Sequence, residues 1–238
     1  MEEYFSNIIS LLKEVDDKEK DNINKAAEMF SETIKNGGLI HVFGSGHSHA
    51  LSLEISYRAG GLVPIKAMDE PGRGLYQKVE GVGTRFMEYY DLRSEDLILI
   101  TSNSSRNPIS IEIALYAKER NIPVITCYSK KYAEKVTSNH SSGKKVYEIA
   151  DLAIDNHCDY GDASIKIDGL DVKIGPTTTV ITSAIYNRIV VSCIKQLVNE
   201  GIIPPILVSN NFDNGEEFNE KVIEQYKGRL FYKRHLKN

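Results

Sequence analysis

One stretch decides the fold: Leu97-Ile98-Leu99-Ile100 followed by Thr101-Ser102-Asn103-Ser104-Ser105-Arg106-Asn107-Pro108, after which Ile109 opens a helical pattern. The apolar run predicts a buried strand, the polar run predicts a loop, and Pro108 suits the first turn of a helix because its missing N–H would be unpaired there. Free backbone N–H groups at a helix start, together with the helix dipole, attract phosphate. We therefore expect a phosphorylated small molecule at the carboxyl end of a parallel strand. The alternative is an ordinary polar turn with an N-cap.

The bulk composition is typical of a soluble globular chain. Of its 238 residues, 41% are hydrophobic and 26% are charged. The net charge is −4 and no basic stripe is visible, so we expect no nucleic-acid partner. No apolar run approaches the roughly 20 residues that span a bilayer, so we expect no membrane partner. Three widely spaced cysteines (Cys127, Cys158 and Cys193) and an acidic start without a signal-peptide core favour a reducing cytoplasm.

Apolar strands alternate with helical patterns from residue 39 onward. We predict five strands, at residues 39–43, 62–65, 97–100, 124–127 and 152–154. Helices are predicted at 49–58 and 109–120. This alternation predicts an α/β fold with a five-stranded parallel sheet covered by helices on both faces, a three-layer αβα sandwich with right-handed connections.

Three segments lie outside this alternation. Residues 2–35 carry a helical rhythm, in which the charged stretch 16–21 is either a break or part of one long exposed helix. Residues 68–83 are rich in glycine and have no stable period, which predicts a mobile loop of the kind that forms lids. Residues 163–174 alternate around Asp168-Gly169, which predicts a small β-hairpin.

The C-terminal part is predicted to be helical. Residues 176–198 are apolar nearly all round, so this helix is buried or lies at a subunit contact, and we expect at least a homodimer. A surface helix at 216–227 and a basic tail at 226–235, solvated or packed at an interface, follow it. We divide the chain into an N-terminal helical segment (1–36), a ligand-binding domain (37–212) and a C-terminal helix and tail (213–238).

A second loop, Gly44-Ser45-Gly46-His47-Ser48, directly follows the first predicted strand. Its two glycines let the backbone approach a ligand closely. It is not the dinucleotide fingerprint, which needs glycine where His49 stands, and no Gly-Lys-Ser/Thr of a P-loop follows. Because both loops end strands of one parallel sheet, we expect them to meet at its ligand crevice.

Together these two loops resemble the sugar isomerase (SIS) domain of phosphosugar isomerases and phosphosugar-binding regulators, over roughly residues 31–211. The chain is most similar to uncharacterised SIS proteins related to phosphoheptose isomerase, which implies a flavodoxin-like sheet. The serine loop resembles that family's phosphate loop, Ser-x-Ser-Gly-x-Thr/Asn, except that serine replaces the glycine. The resemblance implies that the following residues contact phosphate or sugar: Gly44, Ser45, Gly46, Ser48, Ser102, Asn103, Ser104, Ser105, Asn107 and Thr177.

The resemblance also implies aldose–ketose isomerisation or a related proton transfer, which needs a base beside the carbonyl and an acid at the ring oxygen. Glu54 is one candidate base, although it is four residues from Arg58 and can simply form an ion pair with it. Glu70, in the glycine-rich segment, is the rival. His47 and His157 are the candidate acids, the first alternatively a helix cap and the second acting across a subunit interface.

We expect neither a cofactor nor a metal. Phosphoheptose isomerases can carry zinc, but His157, Cys158 and Asp159 are adjacent, and neighbours at a strand end point apart. Two functions stay open: a sugar-phosphate isomerase, or a non-catalytic phosphosugar sensor that acts on a partner. Regulators of this family carry a helix-turn-helix, and only about 35 residues precede the first strand, without a basic recognition helix.

Overall fold

The computed structural model describes residues 2–70 and 72–231. The α-helices are α1 (Glu2–Lys18), α2 (Lys20–Lys35), α3 (His49–Ile55), α4 (Val82–Met87), α5 (Pro108–Lys118), α6 (Lys130–Ala133), α7 (Val146–Ile149), α8 (Thr178–Asn199), α9 (Gly215–Glu224) and α10 (Lys227–Leu230). The strands are β1 (Ile40–Gly44), β2 (Ile65–Ala67), β3 (Leu97–Thr101), β4 (Val124–Tyr128), β5 (Leu152–Asp155), β6 (Ala163–Ile165) and β7 (Ile174–Pro176).

The main sheet has five parallel strands in the order β2-β1-β3-β4-β5, so the predicted α/β fold is confirmed. Every residue of β1, β3 and β4 is buried, as expected for a parallel sheet with helices on both faces. The chain moves outward from β1 to β2 and then returns to β3 on the other side of β1. In sheets of this kind, ligands bind where the strand order reverses, at the carboxyl ends of the strands. Here that point lies between β1 and β3.

Two apolar cores flank the sheet. One joins the sheet to α1, α2, α3 and α8, and it includes Ile8, Phe30 and Ile189. The other joins it to α4 and α5, and it includes Phe86 and Ile109. Because α1 and α2 share the first core with the strands, they pack as part of that helical layer. The division of the chain at residue 36 stays a prediction.

The N-terminal helical rhythm forms two helices that meet at Glu19, so the charged stretch is a break. The chain also departs from its predicted path after β1. Helix α3 ends at Ile55 instead of residue 58, because Ser56 is extended and Tyr57 takes a positive φ of 47°. Strand β2 begins at Ile65 instead of residue 62, because Leu62 forms an antiparallel bridge with Ile206.

The glycine-rich segment is not irregular throughout, because α4 begins within it at Val82. The carboxylate of Glu112 on α5 accepts hydrogen bonds from the N–H groups of Gly81 and Thr84, and this contact secures the start of α4. A six-residue helix held by a contact with a distant residue gives no periodic signal in the sequence. The short helices α6 and α7 were not predicted for the same reason.

The hairpin and the last helices lie close to their predicted positions. Strands β6 and β7 pair antiparallel, with Ala163 opposite Pro176. Helix α8 buries one face, while Val180 and Val191 on other faces are 44% and 50% exposed. No described helix is long and apolar enough to cross a membrane. Residues 232–235 of the predicted basic tail lie outside the described residues.

Candidate functional site

The serine loop, residues 102–107, joins β3 to α5 at the point where the strand order reverses. The Ser102 N–H donates to the carbonyl of Cys127 at 3.1 Å, and the Ser105 N–H donates back to the carbonyl of Ser102 at 2.9 Å. Within residues 2–70 and 72–231, four other backbone N–H groups of this loop have no acceptor: those of Asn103, Ser104, Arg106 and Asn107. The hydroxyls of Ser102 and Ser104 are unpaired in the same part of the chain. Such a group of free donors at a helix start can bind an anion.

Ser105 stands where the family pattern has glycine, and its φ of +57° is left-handed. Its hydroxyl accepts the Tyr147 N–H at 3.0 Å, and its carbonyl accepts the Val146 N–H at 3.0 Å. The side chain therefore secures the start of α7. Ser105 contributes to the serine loop through its left-handed backbone conformation.

Two asparagines at the loop are already engaged on one side. The Asn103 side-chain carbonyl accepts a hydrogen bond from the Asn156 amide at 3.0 Å. The Asn107 amide donates to the side-chain carbonyl of Gln77 at 3.0 Å. Each asparagine amide carries two N–H bonds, so each keeps donor capacity for a ligand.

The glycine loop, residues 44–48, lies at the end of β1 beside the serine loop. A Cβ on Gly44 would lie 2.3 Å from the Ser48 carbonyl oxygen, so only glycine fits there. The Ser45 hydroxyl donates to Glu70 Oε1 at 2.8 Å, and the Gly46 N–H donates to Glu70 Oε2 at 3.0 Å. Two of the donors predicted to bind the ligand therefore hold Glu70, which is only 7% exposed.

Gln77 is a site residue that the sequence analysis missed. Its side-chain oxygen lies 3.0 Å from the Asn107 amide and 3.5 Å from the Ser45 hydroxyl, so it lies between the two loops. A Cβ on Gly74 would lie 2.9 Å from the Gly46 Cα, so the glycine-rich segment packs directly on the glycine loop. The only sequence signal was the run of glycines, which does not say which side chain reaches the site.

Glu54 lies on α3 and pairs with Arg58, as the alternative in the sequence analysis had it. The Ser183 hydroxyl of α8 lies 3.4 Å from the same carboxylate. In the described chain, the Glu54 carboxylate therefore has its partners in Arg58, just after α3, and in Ser183 of α8, and none in the two loops.

The two predicted histidines lie in different surroundings. His47 is exposed in the glycine loop, and its ring has no polar partner among the described residues. His157 is buried, and its ring nitrogens lie 3.2 Å from Asp155, 3.3 Å from Glu19 and 3.5 Å from Glu14. Although burial opposes ionisation, contacts with His157 and Asn22 hold the pKa of Glu19 below its ordinary value. The ring of His157 is thus directed toward the junction of α1 and α2.

Thr177, at the start of α8, is fully buried. Its N–H donates to the Asp162 carboxylate at 3.0 Å and its hydroxyl donates to the Asp162 carbonyl at 3.2 Å. The Thr178 N–H donates to the same carboxylate at 2.7 Å. Asp162 therefore occupies the helix start at which Thr177 was expected to contact the ligand.

The three cysteines, Cys127, Cys158 and Cys193, are all buried. Burial raises the pKa of Cys158 to about 11 and that of Cys193 to about 12, so both thiols are protonated at neutral pH. Residues 2–70 and 72–231 contain no group of three or more His, Cys, Asp or Glu side chains that could hold a metal ion.

The chain is similar to known proteins in both sequence and structure. A family model described as a SIS domain matches residues 3–129. A UPF0309 protein of Geobacillus kaustophilus is 41% identical over 237 residues, covering 96% of this chain and 94% of that protein. A phosphoheptose isomerase from Neisseria gonorrhoeae superposes with a TM-score of 0.51 at 17% identity, covering 82% of this chain and 95% of that chain.

The NanR protein of Vibrio vulnificus, solved in complex with ManNAc-6P, superposes with a TM-score of 0.52 at 12% identity. The match covers 97% of this chain and 70% of that chain. At these identities the two structural likenesses establish the fold.

Proposed function

This chain belongs to the SIS-domain family, and on that premise we propose that it binds a sugar phosphate between its glycine and serine loops and isomerises it. The observation that carries the proposal is the set of unpaired donors at the start of α5. Four free backbone N–H groups and two free hydroxyls within the described chain converge on one loop. The four N–H groups belong to half-exposed residues, so they are open to a ligand that takes the place of water.

Phosphate is the ligand group that fits these donors. Ser102, Ser104 and Asn107, with the free N–H groups of the loop, can surround its oxygens, and the dipole of α5 adds a favourable field. The one cation within the loop, Arg106, donates from one guanidinium nitrogen to the Asn139 side chain at 2.6 Å, while its buried Nε has no partner in the described chain. The neutral donors of the loop are the main phosphate contacts of this proposal.

Glu70 is the base that the geometry favours over Glu54. Hydrogen bonds from Ser45 and Gly46 fix its carboxylate in the crevice, whereas the Glu54 carboxylate of α3 is paired with Arg58, which follows that helix. In an aldose–ketose step, Glu70 takes the C2 proton, the electron pair forms the C1–C2 double bond, and the C1 carbonyl electrons move to O1 to give an enediolate. The proton then returns to C1, and the O2 proton moves to O1 as the C2 carbonyl forms. His47, in the glycine loop, serves the ring oxygen.

A non-catalytic sensor is the second candidate, and one observation favours it. His157 is directed away from the crevice, which leaves His47 as the remaining candidate acid among the predicted residues. The NanR protein, solved with ManNAc-6P, has the same fold, which supports binding of a phosphorylated sugar by this fold. A sensor would bind the sugar phosphate without moving a proton at C2.

A second copy of the chain is proposed to cover the outer face of α1 and α8. A groove of about 370 Å³ lies between these helices, lined mainly by apolar residues, and the ion pair of Asp16 with Arg188 lies at its side. Phe5 and Ile9 on α1 are 61% and 53% exposed, and Val191 on α8 is 50% exposed. Exposed apolar side chains around a groove suit a contact with a second copy of the chain.

Two measurements test the proposed function. Thermal shift with a panel of hexose and heptose phosphates, each beside its unphosphorylated sugar, identifies a phosphate-dependent ligand. Incubation of that ligand in heavy water with NMR detection of C2 deuteration then separates the candidates. Exchange supports the isomerase, binding without exchange supports the sensor, and the absence of any phosphate-dependent shift rules out both.

A further inference from the structure

Gln77 is a half-buried residue of the glycine-rich segment, and the geometry assigns it the role of setting the spacing between the two ligand loops. This inference deepens the proposed function and rests on it. We infer that Gln77 is a positioning residue for phosphate: its neutral side-chain carbonyl joins the serine loop to the glycine loop and leaves the phosphate donors free.

The contacts of Gln77 lie on both sides of the crevice. Its side-chain oxygen accepts the Asn107 amide at 3.0 Å and lies 3.5 Å from the Ser45 hydroxyl. Its backbone carbonyl accepts the Ile109 N–H of α5 at 3.5 Å. One residue thus contacts the end of the serine loop, the first turn of α5 and the glycine loop.

These contacts decide which donors remain for a ligand. Pro108 has no N–H, and the Ile109 N–H is directed to Gln77, so Ser110 is the first residue of α5 whose N–H has no acceptor in the described chain. The other free N–H groups are those of residues 103, 104, 106 and 107. Gln77 therefore takes up one donor at the helix start and leaves a phosphate the N–H groups of the serine loop and of Ser110.

The position of Gln77 is fixed from both directions along the chain. On its N-terminal side, Gly74 packs against Gly46 with no room for a side chain. On its C-terminal side, the Glu80 carboxylate accepts the Ser141 N–H at 2.6 Å. Because both flanks are attached, the carboxamide is held in the crevice by the fold.

The chemistry at this position calls for an acceptor without charge. The Ser45 hydroxyl already donates to Glu70, so a carboxylate at position 77 would place a second negative charge on the same hydroxyl and beside the phosphate. An apolar side chain would leave the Asn107 amide without its protein partner. An amide carbonyl meets both requirements.

The test uses Gln77→Met, which keeps the shape and removes the polar group, and Gln77→Glu, which keeps an acceptor and adds a charge. Val79→Ala is the matched control, because Val79 belongs to the same segment and is 48% exposed. Isothermal titration measures the dissociation constant of inorganic phosphate for the full chain from pH 8 to pH 5. Circular dichroism melting shows that each variant is folded.

We expect Gln77→Met to weaken phosphate binding about tenfold, the effect of one lost hydrogen-bond contact. Gln77→Glu should weaken phosphate binding about a hundredfold at pH 8. The ratio of its dissociation constant to that of the original chain should fall toward pH 5, because the new carboxyl, with an ordinary pKa of about 4.3, begins to protonate. Val79→Ala should bind as the original chain does. A purely structural role would not give the pH-dependent ratio.

Two results overturn the inference, and they are distinguishable from each other. If both Gln77 variants bind phosphate as the original chain does, the positioning role is wrong while the proposed function stands. If the original chain binds neither inorganic phosphate nor any sugar phosphate, the proposed function fails and the role of Gln77 fails with it.

Discussion

Glu70 accepts a hydrogen bond at 3.0 Å from the backbone N–H of Gly46, a residue 24 positions earlier in the chain. The Ser45 hydroxyl donates to the second oxygen of the same carboxylate at 2.8 Å. The glycine loop and the glycine-rich segment are therefore joined at a buried carboxylate, and the sequence does not show this connection.

The first prediction concerns the base. Glu70→Gln keeps the shape of the side chain and removes its basicity, so C2 exchange should fall by roughly 10²–10⁴ while sugar-phosphate binding is nearly intact. Glu54→Gln is the matched change on α3 and should leave exchange in place. Loss of exchange in Glu54→Gln with retention in Glu70→Gln would show that we have assigned the wrong carboxylate. Full exchange in both variants would refute the mechanism.

The second prediction concerns phosphate. A charge-assisted hydrogen bond contributes roughly 1.5–3 kcal/mol, so Ser104→Ala should weaken a sugar phosphate about ten- to a hundredfold and leave the unphosphorylated sugar unaffected. Ser192→Ala, in the second half of α8, serves as the control. Titration calorimetry with both ligands decides the matter, and equal losses for the two would contradict the phosphate assignment.

The third prediction concerns the C-terminal segment. Arg229 of α10 donates to both carboxylate oxygens of Asp96, at 2.9 and 2.6 Å, and Asp96 is buried. Arg229→Ala leaves this carboxylate without its cation, so the free energy of unfolding should fall by about 3 kcal/mol, the lower end for a broken buried pair. Denaturant unfolding measures the change. Arg85→Ala removes an exposed ion pair and should leave the unfolding midpoint of the original chain unchanged. If Arg229→Ala also unfolds at the midpoint of the original chain, the contact of α10 with Asp96 adds nothing to stability.

The fourth prediction concerns pH. Burial lowers the pKa of His41 below its ordinary value despite its contact with Asp96, so the folded chain holds this ring neutral. The unfolded chain binds that proton first, and stability should therefore fall as pH drops below about 6.5. Hydrogen bonds from His41 and Arg229 outweigh burial and lower the pKa of Asp96, which adds a second loss below about pH 4.

His41→Gln removes the first of these losses. Its melting temperature should change less than that of the original chain between pH 7.5 and pH 5.5, while His47→Gln, which alters an exposed ring, should keep the original slope. Parallel slopes in His41→Gln and the original chain would contradict this origin of the pH dependence.

The fifth prediction concerns assembly. Ile9→Glu places a charge in the groove between α1 and α8, so light scattering should show monomers of 26.7 kDa where the original chain forms dimers. Ile203→Glu changes a residue that is 92% exposed and lies after α8, and it should leave the dimer intact. A monomeric original chain at micromolar concentration would refute the proposed contact.

The sheet and the positions of the glycine and serine loops follow from local patterns in the sequence. Strands such as β1 and β3 are apolar along their whole length because both of their faces are buried, and this pattern is local to each strand. The serine loop is equally local, since a polar run followed by Pro108 marks a helix start wherever it occurs. Both features follow from residues that are close together along the chain.

Which side chains reach the crevice depends on contacts between residues far apart in the sequence. Glu70 and Gln77 enter it through contacts with Gly46 and Asn107, which are 24 and 30 residues away. The ring of His157 lies outside the crevice. Its backbone is left-handed, with φ of +56°, and its ring is directed toward the carboxylates of Glu14 and Glu19. The orientation of a side chain at a strand end depends on the elements packed against it. The neighbouring residues in the sequence do not indicate which elements those are.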